Sequence, residues 1–274
     1  MIVPYFLQAG FLDFEKMKQM LHFLRFGVIL VVWGLHFENR LTRALTLAAL
    51  ALVADNDKLC YNMYIFELSQ KGGNTMRHLD ERELFNTDEE FANFRGLLLQ
   101  NKRSRYFYRS ASAYTNYYGR AATVQKLIKT NSINTIIDLT GIKHRCRSDR
   151  FGREFCELLA LAIERDGPYI IQCDAGKKRT GFACLVLEAL SGTSYELLVW
   201  DYLTSYANNN GLCLDADTVK YLARAKVIPN LLYIADATSC CLDEINLASA
   251  SRSYLLKHGL TTNQIRKLEE VLLR

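Results

Sequence analysis

From about residue 94 onward the apolar positions fall into short runs separated by helical stretches. Residues 134–139 (NTIIDL) and 169–172 (YIIQ) are brief apolar, β-branched segments of the kind that forms buried strands, and 105–108 predicts another. Residues 120–130 read as an amphipathic helix. Over 152–165, Phe155, Leu158, Leu159, Ala162 and Ile163 line one face at the 3.6-residue period, until Gly167-Pro168 breaks the pattern. Helical character returns over 182–190, so the order is strand, helix, strand, loop, helix. That is a parallel α/β unit, which places ligands at the carboxyl ends of its strands, where Cys173 stands. From Tyr195 on, three or four helices are expected, the last starting at Thr261 with Gln264 as capping-box partner. The expected fold is a parallel-sheet α/β core with flanking helices and a helical C-terminal region.

Ahead of this lie two less patterned stretches. Residues 56–93 are mixed and polar, with a turn signal at Gly72-Gly73-Asn74 and an acidic, helical stretch at 88–94, and read as a lead-in to a domain at 94–274. Residues 1–55 hold apolar runs at 26–35 and 44–54, each shorter than the roughly 20 residues that span a bilayer. The second follows Arg40 and Arg43 and ends in small residues near Ala54, as a signal-peptide core does. Two readings stand open: a signal or anchor, giving an exported or membrane-associated protein, or a pair of ordinary buried helices in a cytoplasmic one.

Composition narrows the function classes. Of 274 residues, half are hydrophobic and 23% charged, with 3 prolines, which excludes disorder and collagen-like structure. A net charge of +5 without a concentrated basic patch argues against a dedicated nucleic-acid binder. The eight cysteines form no CxxC pair, so neither a zinc site nor a disulfide framework is indicated, and no cofactor is implied.

One loop carries chemistry. In Ile170-Ile-Gln-Cys173-Asp174-Ala175-Gly176-Lys177-Lys178-Arg179-Thr180-Gly181, a cysteine and an arginine are separated by five residues, after an apolar strand and before a helix. Such a loop can turn its N–H groups around a tetrahedral oxyanion while the helix dipole adds positive potential. The same field favours a thiolate at Cys173, the form a nucleophile needs. Arg179 can grip two phosphate oxygens through its planar fork. Gly176 allows close backbone approach, and Thr180 can donate to the cysteine sulfur. A nucleotide-binding phosphate loop is excluded, because Ile171 and Lys178 stand where Gly and Ser or Thr would be required.

From residue 94 to the end, roughly two-thirds of the chain, the segments FRGLLL, YFYRSASAYTNYYGRA, INTIIDL, GPYIIQCDAGKKRTGFAC and YLLKHGLTTNQI resemble bacterial members of the tyrosine phosphatase superfamily, whose loop reads HCxxGKxRTG. The resemblance implies Cys173 as nucleophile, Arg179 as phosphate clamp, Lys177 as a further phosphate contact and Arg109 as a secondary one, beside the loop residues Asp174, Ala175, Gly176, Lys178 and Thr180. Three departures stand out. Gln172 replaces the family's histidine, Lys178 replaces the aspartate that serves some relatives as general acid, and the stretch 141–152 is short. Asp149 and Asp174 are the nearest substitutes for the acid. The expected activity is hydrolysis of phosphate monoesters through a phosphocysteine, on phosphotyrosine proteins or phosphoinositides, with no metal. The competing classes are a non-catalytic phosphate-binding module and, more remotely, a sulfur carrier using Cys173 as a persulfide.

Overall fold

The structure, a computed structural model, describes residues 79–237 and 244–274. The apolar runs at 26–54 and the Gly72-Gly73-Asn74 turn lie outside the described residues. So does the reading of 26–54 as signal or anchor. Among the described residues no helix is long and apolar enough to cross a membrane.

After a short helix α1 (Asp88–Phe91) the chain enters a hairpin of β1 (Arg95–Leu99) and β2 (Lys102–Ser110). Leu99 pairs with Lys102, leaving a two-residue turn of Gln100 and Asn101, both with positive φ (48° and 65°). Two consecutive left-handed residues give the turn whose twist suits an antiparallel pair. The sequence reading placed a strand only at 105–108, because Gln-Asn lacks the glycine that usually marks such a turn.

Helix α2 (Ala121–Thr130) leads to β3 (Thr135–Asp138), α3 (Asp149–Ala162) to β4 (Tyr169–Gln172), and β4 to α4 (Lys178–Leu190). The sheet runs β1-β2-β4-β3, with β4 parallel to both β2 and β3. Gln172 is flanked by Ser110 on one side and Asp138 on the other, so three parallel strands end level and Cys173 leaves the sheet at the middle of that edge.

Alternation across the sheet splits the core. Phe107, Ile137, Tyr169 and Ile171 face the larger cluster with α3 and α4, while Tyr108 and Ile170 face Val124 and Leu127 of α2. Every residue of α4 from Thr180 to Leu190 is buried, as expected of a central helix with no polar face. Helix α3 starts three residues before the expected 152, because the Ser148 hydroxyl accepts from the Phe151 N–H at 3.3 Å.

The C-terminal region holds more elements than three or four. These are α5 (Tyr195–Asn210), α6 (Ala216–Leu222), a π turn (Ala223–Val227), α7 (Ile228–Ile234), α8 (Leu247–Lys257) and α9 (Thr262–Leu272). The capping box of Thr261 and Gln264 is formed as read.

Candidate active site

The turn from Cys173 to Arg179 is held against the end of β2. At Gly176 φ is +64°, and a Cβ there would stand 2.3 Å from the Ser110 carbonyl oxygen and 2.7 Å from the Ala111 nitrogen, so only glycine fits. The Gly176 N–H closes the turn by donating to the Cys173 carbonyl at 3.0 Å. By contrast, the N–H groups of Asp174, Ala175 and Lys177 make no hydrogen bond among the described residues, and they stand immediately ahead of the N-terminus of α4. Free donors combined with a helix dipole make a seat for an anion. Cys173, at its rim, is 3% exposed.

Behind the loop its carbonyls are held in place. Asn93 Nδ2 donates to the Gly176 oxygen at 2.9 Å and to that of Ala175 at 3.3 Å. Arg109 Nη2 donates to the same Gly176 oxygen at 3.1 Å and to Ser205 Oγ at 3.0 Å. Asn93 is fully buried with φ 50°, and its Oδ1 accepts from Arg95 Nη1 at 2.7 Å and Asn208 Nδ2 at 3.2 Å. Arg95, Arg103 and Arg109 converge on Asp201, which is fully buried on α5. Burial alone would raise the Asp201 carboxyl, but the Arg95 and Arg109 guanidiniums outweigh it and hold the group below the ordinary carboxylate range. Glu188 of α4, in the same layer, accepts from the Leu98 N–H with one oxygen at 3.0 Å and leaves the other without a partner. Burial, with Asp201 adding to it, pushes its carboxyl well up.

Several expected site residues therefore stand elsewhere than the loop's open face. The guanidinium of Arg109 is buried behind the loop and engaged with Asp201, Ser205 and Gly176, so it braces the backbone instead of facing a ligand. Thr180 does not bond the Cys173 sulfur: its hydroxyl is buried and has no partner. Asp149, the first residue of α3, accepts from the Tyr233 hydroxyl at 3.2 Å and lies 3.4 Å from His258 Nε2. Those bonds, His258's first, lower its carboxyl, the opposite of what a proton donor at neutral pH requires.

Lys177 Nζ donates to Asn210 Oδ1 at 2.9 Å and lies 5.0 Å from the Tyr206 ring centroid, while burial, then Lys178 and Arg120, push its amine down to about 8. Lys178 is exposed. Arg179 donates through Nη1 to the carbonyls of Leu139, Thr140 and Ile142 at 2.7, 2.8 and 3.0 Å, and pairs through Nη2 with Asp174. Gln172 accepts from the Ala113 N–H at 3.0 Å, tying the segment after β2 to the loop, and its Nε2 has no partner.

Burial pushes the thiols of Cys146, Cys156 and Cys184 up to about 11, 12 and 12, which leaves them poor nucleophiles. Among the described residues no group of three or more His, Cys, Asp or Glu side chains is arranged to hold a metal ion.

Sequence reasoning missed Asn93, Asp201, Ser205 and Thr115, whose hydroxyl donates to Asp174 Oδ1 at 3.0 Å. The one signal for Asp201 was an acid among Leu198, Val199, Tyr202 and Leu203 on a buried helical face. Asn93 sits one residue before the FRGLLL segment and carries no mark of its own. A comparison with protein families matches residues 142–274 to the tyrosine phosphatase family. A search of curated proteins finds no match.

Proposed function

The domain that carries this loop belongs to the tyrosine phosphatase superfamily, and on that premise we propose that the chain is a cysteine-dependent phosphatase acting on phosphate monoesters, foremost phosphotyrosine. The observation that carries the reading is the set of unbonded N–H groups at Asp174, Ala175 and Lys177, between Cys173 at the sheet edge and Arg179 on the first turn of α4. Those donors would hold the non-bridging oxygens of a phosphoryl group. The Cys173 sulfur then bonds to phosphorus as the ester P–O bond breaks and the leaving oxygen takes the electron pair. Water hydrolyses the phosphocysteine, giving inorganic phosphate and restoring the thiolate.

Protonation of the leaving oxygen is the weak part of the machinery. Lys178 stands where some relatives carry an acid, and Asp149 is tied to Tyr233 and His258. General acid catalysis is worth about a hundredfold or more, and an aryl oxygen, the better leaving group, loses least without it. This favours phosphotyrosine over alkyl phosphates. A multiply charged phosphoinositide finds support in the basic residues Lys177, Lys178 and the stretch from Lys143 to Arg153. The same missing acid favours a second reading, a module that binds phosphorylated partners without turnover.

The test is phosphate release from p-nitrophenyl phosphate and from a phosphotyrosine peptide, in EDTA and reductant, for wild type and Cys173→Ser. Turnover that the substitution abolishes is the expected result. Absent turnover with retained phosphate binding would select the binding module.

A further inference from the structure

The residue after the nucleophile is an acid, which is unexpected in a loop built to receive an anion. Asp174 Oδ2 pairs with Arg179 Nη2, and Oδ1 accepts from the Thr115 hydroxyl at 3.0 Å. Its backbone carbonyl accepts from the Ser112 N–H at 3.3 Å. The carboxylate is thus held from two sides, by the segment after β2 and by the first turn of α4. Arg179 is correspondingly engaged, with Nη1 on three carbonyls of the β3–α3 connection and Nη2 on Asp174.

Resting on the phosphatase reading above, we infer that Asp174 is an internal anion that occupies Arg179 in the resting site, so that a substrate phosphate binds by displacing it and Asp174 sets the affinity of the loop. A carboxylate and a phosphoryl group are alternative ligands of one guanidinium fork, and a two-pronged grip on phosphate competes with Asp174 for Nη2. Once displaced, the carboxylate remains one residue from Cys173 and repels an incoming dianion. Both effects weaken substrate binding, and neither requires Asp174 to move a proton. To act instead as the acid that Lys178 cannot be, Asp174 would have to give up Arg179 and gain a hydrogen. Thr115 sharpens the latch, because its hydroxyl fixes the second carboxylate oxygen while the first meets Arg179.

The experiment compares inorganic phosphate binding by calorimetry to Cys173→Ser and to Cys173→Ser/Asp174→Asn, alongside steady-state kinetics of wild type, Asp174→Asn and Thr115→Val. The readings expected are phosphate binding about tenfold tighter in the double variant, KM for p-nitrophenyl phosphate lowered by a similar factor in Asp174→Asn, and a smaller shift in the same direction for Thr115→Val. Equal or weaker phosphate binding, or none by either protein, overturns the inference. So does a kcat loss in Asp174→Asn that is far larger on an alkyl phosphate than on the aryl one, since that pattern belongs to an acid. If Asp174→Asn fails to fold by circular dichroism, Thr115→Val alone decides, an unchanged KM counting against the latch. Tightened phosphate binding without turnover in any protein would sink the phosphatase reading and leave the latch standing.

Discussion

Arg109 and Asp201 form a pair at 2.6 Å in which neither side chain is exposed, and the other arm of the arginine holds the Gly176 carbonyl of the loop from Cys173 to Arg179. Asp201 carries two further arginines, so one carboxylate of α5 gathers three cations behind the loop, beside the ties that Ser205, Asn208 and Asn210 of the same helix make. Replacing one member of a buried charge group leaves the rest uncompensated, at a cost of about 3–5 kcal/mol. Asp201→Asn is therefore expected to lower the unfolding free energy by that order in urea titrations. The native carboxyl is held below its unfolded value, so its contribution is present above the unfolded pKa and lost as pH falls through the folded one. Wild type and variant should converge in stability toward low pH.

Glu188 has the opposite sign. Its folded carboxyl is raised, so its contribution is full below the unfolded value, about 4.3, and declines as pH rises through the folded value. Thermal melts from pH 5 to 8 should show Glu188→Gln gaining on wild type as pH rises. A constant difference across the series would contradict this sign.

Asn93 positions the loop without facing its open side. Asn93→Ala removes both bonds to the Ala175 and Gly176 carbonyls and is expected to raise KM by up to roughly thirtyfold, each bond to a buried acceptor being worth about 1 kcal/mol net. Asn93→Gly keeps the left-handed backbone accessible, so its KM should rise as much while its stability falls less than in Asn93→Ala.

At Gly176 the obstacle is backbone, which cannot swing aside as a side chain would. Gly176→Ala should abolish phosphate binding, measured by calorimetry, and cost about 1–3 kcal/mol of stability from the strained φ.

Lys177 supplies a pH limb. With its amine brought down to about 8, it is charged at neutral pH and loses its charge above that value. The KM for p-nitrophenyl phosphate should climb above pH 8 in wild type. In Lys177→Arg, whose guanidinium keeps its charge, that limb should disappear.

What the sequence made legible was the central unit. β3, β4 and α2 fall within a residue or so of their apolar patterns, because each buries a face whose period local chemistry sets. The hairpin was half seen, since Lys102 to Arg105 are mostly exposed and carry no apolar alternation. Cys173, Gly176 and Arg179 could be read from spacing because the loop is contiguous. The layer behind it could not, since Asn93, Arg109 and Asp201 meet only once β1, β2 and α5 have packed. Arg109 was drawn toward the phosphate for the same reason: its place in the chain says that it is near the loop and not on which side.

The bonds from Asn93 to Ala175 and Gly176 span more than eighty positions of chain, and they bear on where a trimmed version of this protein could begin. The family match starts at 142, downstream of Asn93, Arg95, Arg109 and the whole β1–β2 hairpin. A fragment cut there would retain Cys173, Arg179 and α4, yet it would lose β3 as well, leaving β4 with no strand on either side, and its loop carbonyls would lose Asn93 and Arg109. A piece that keeps both of these bonds has to begin no later than the asparagine at 93.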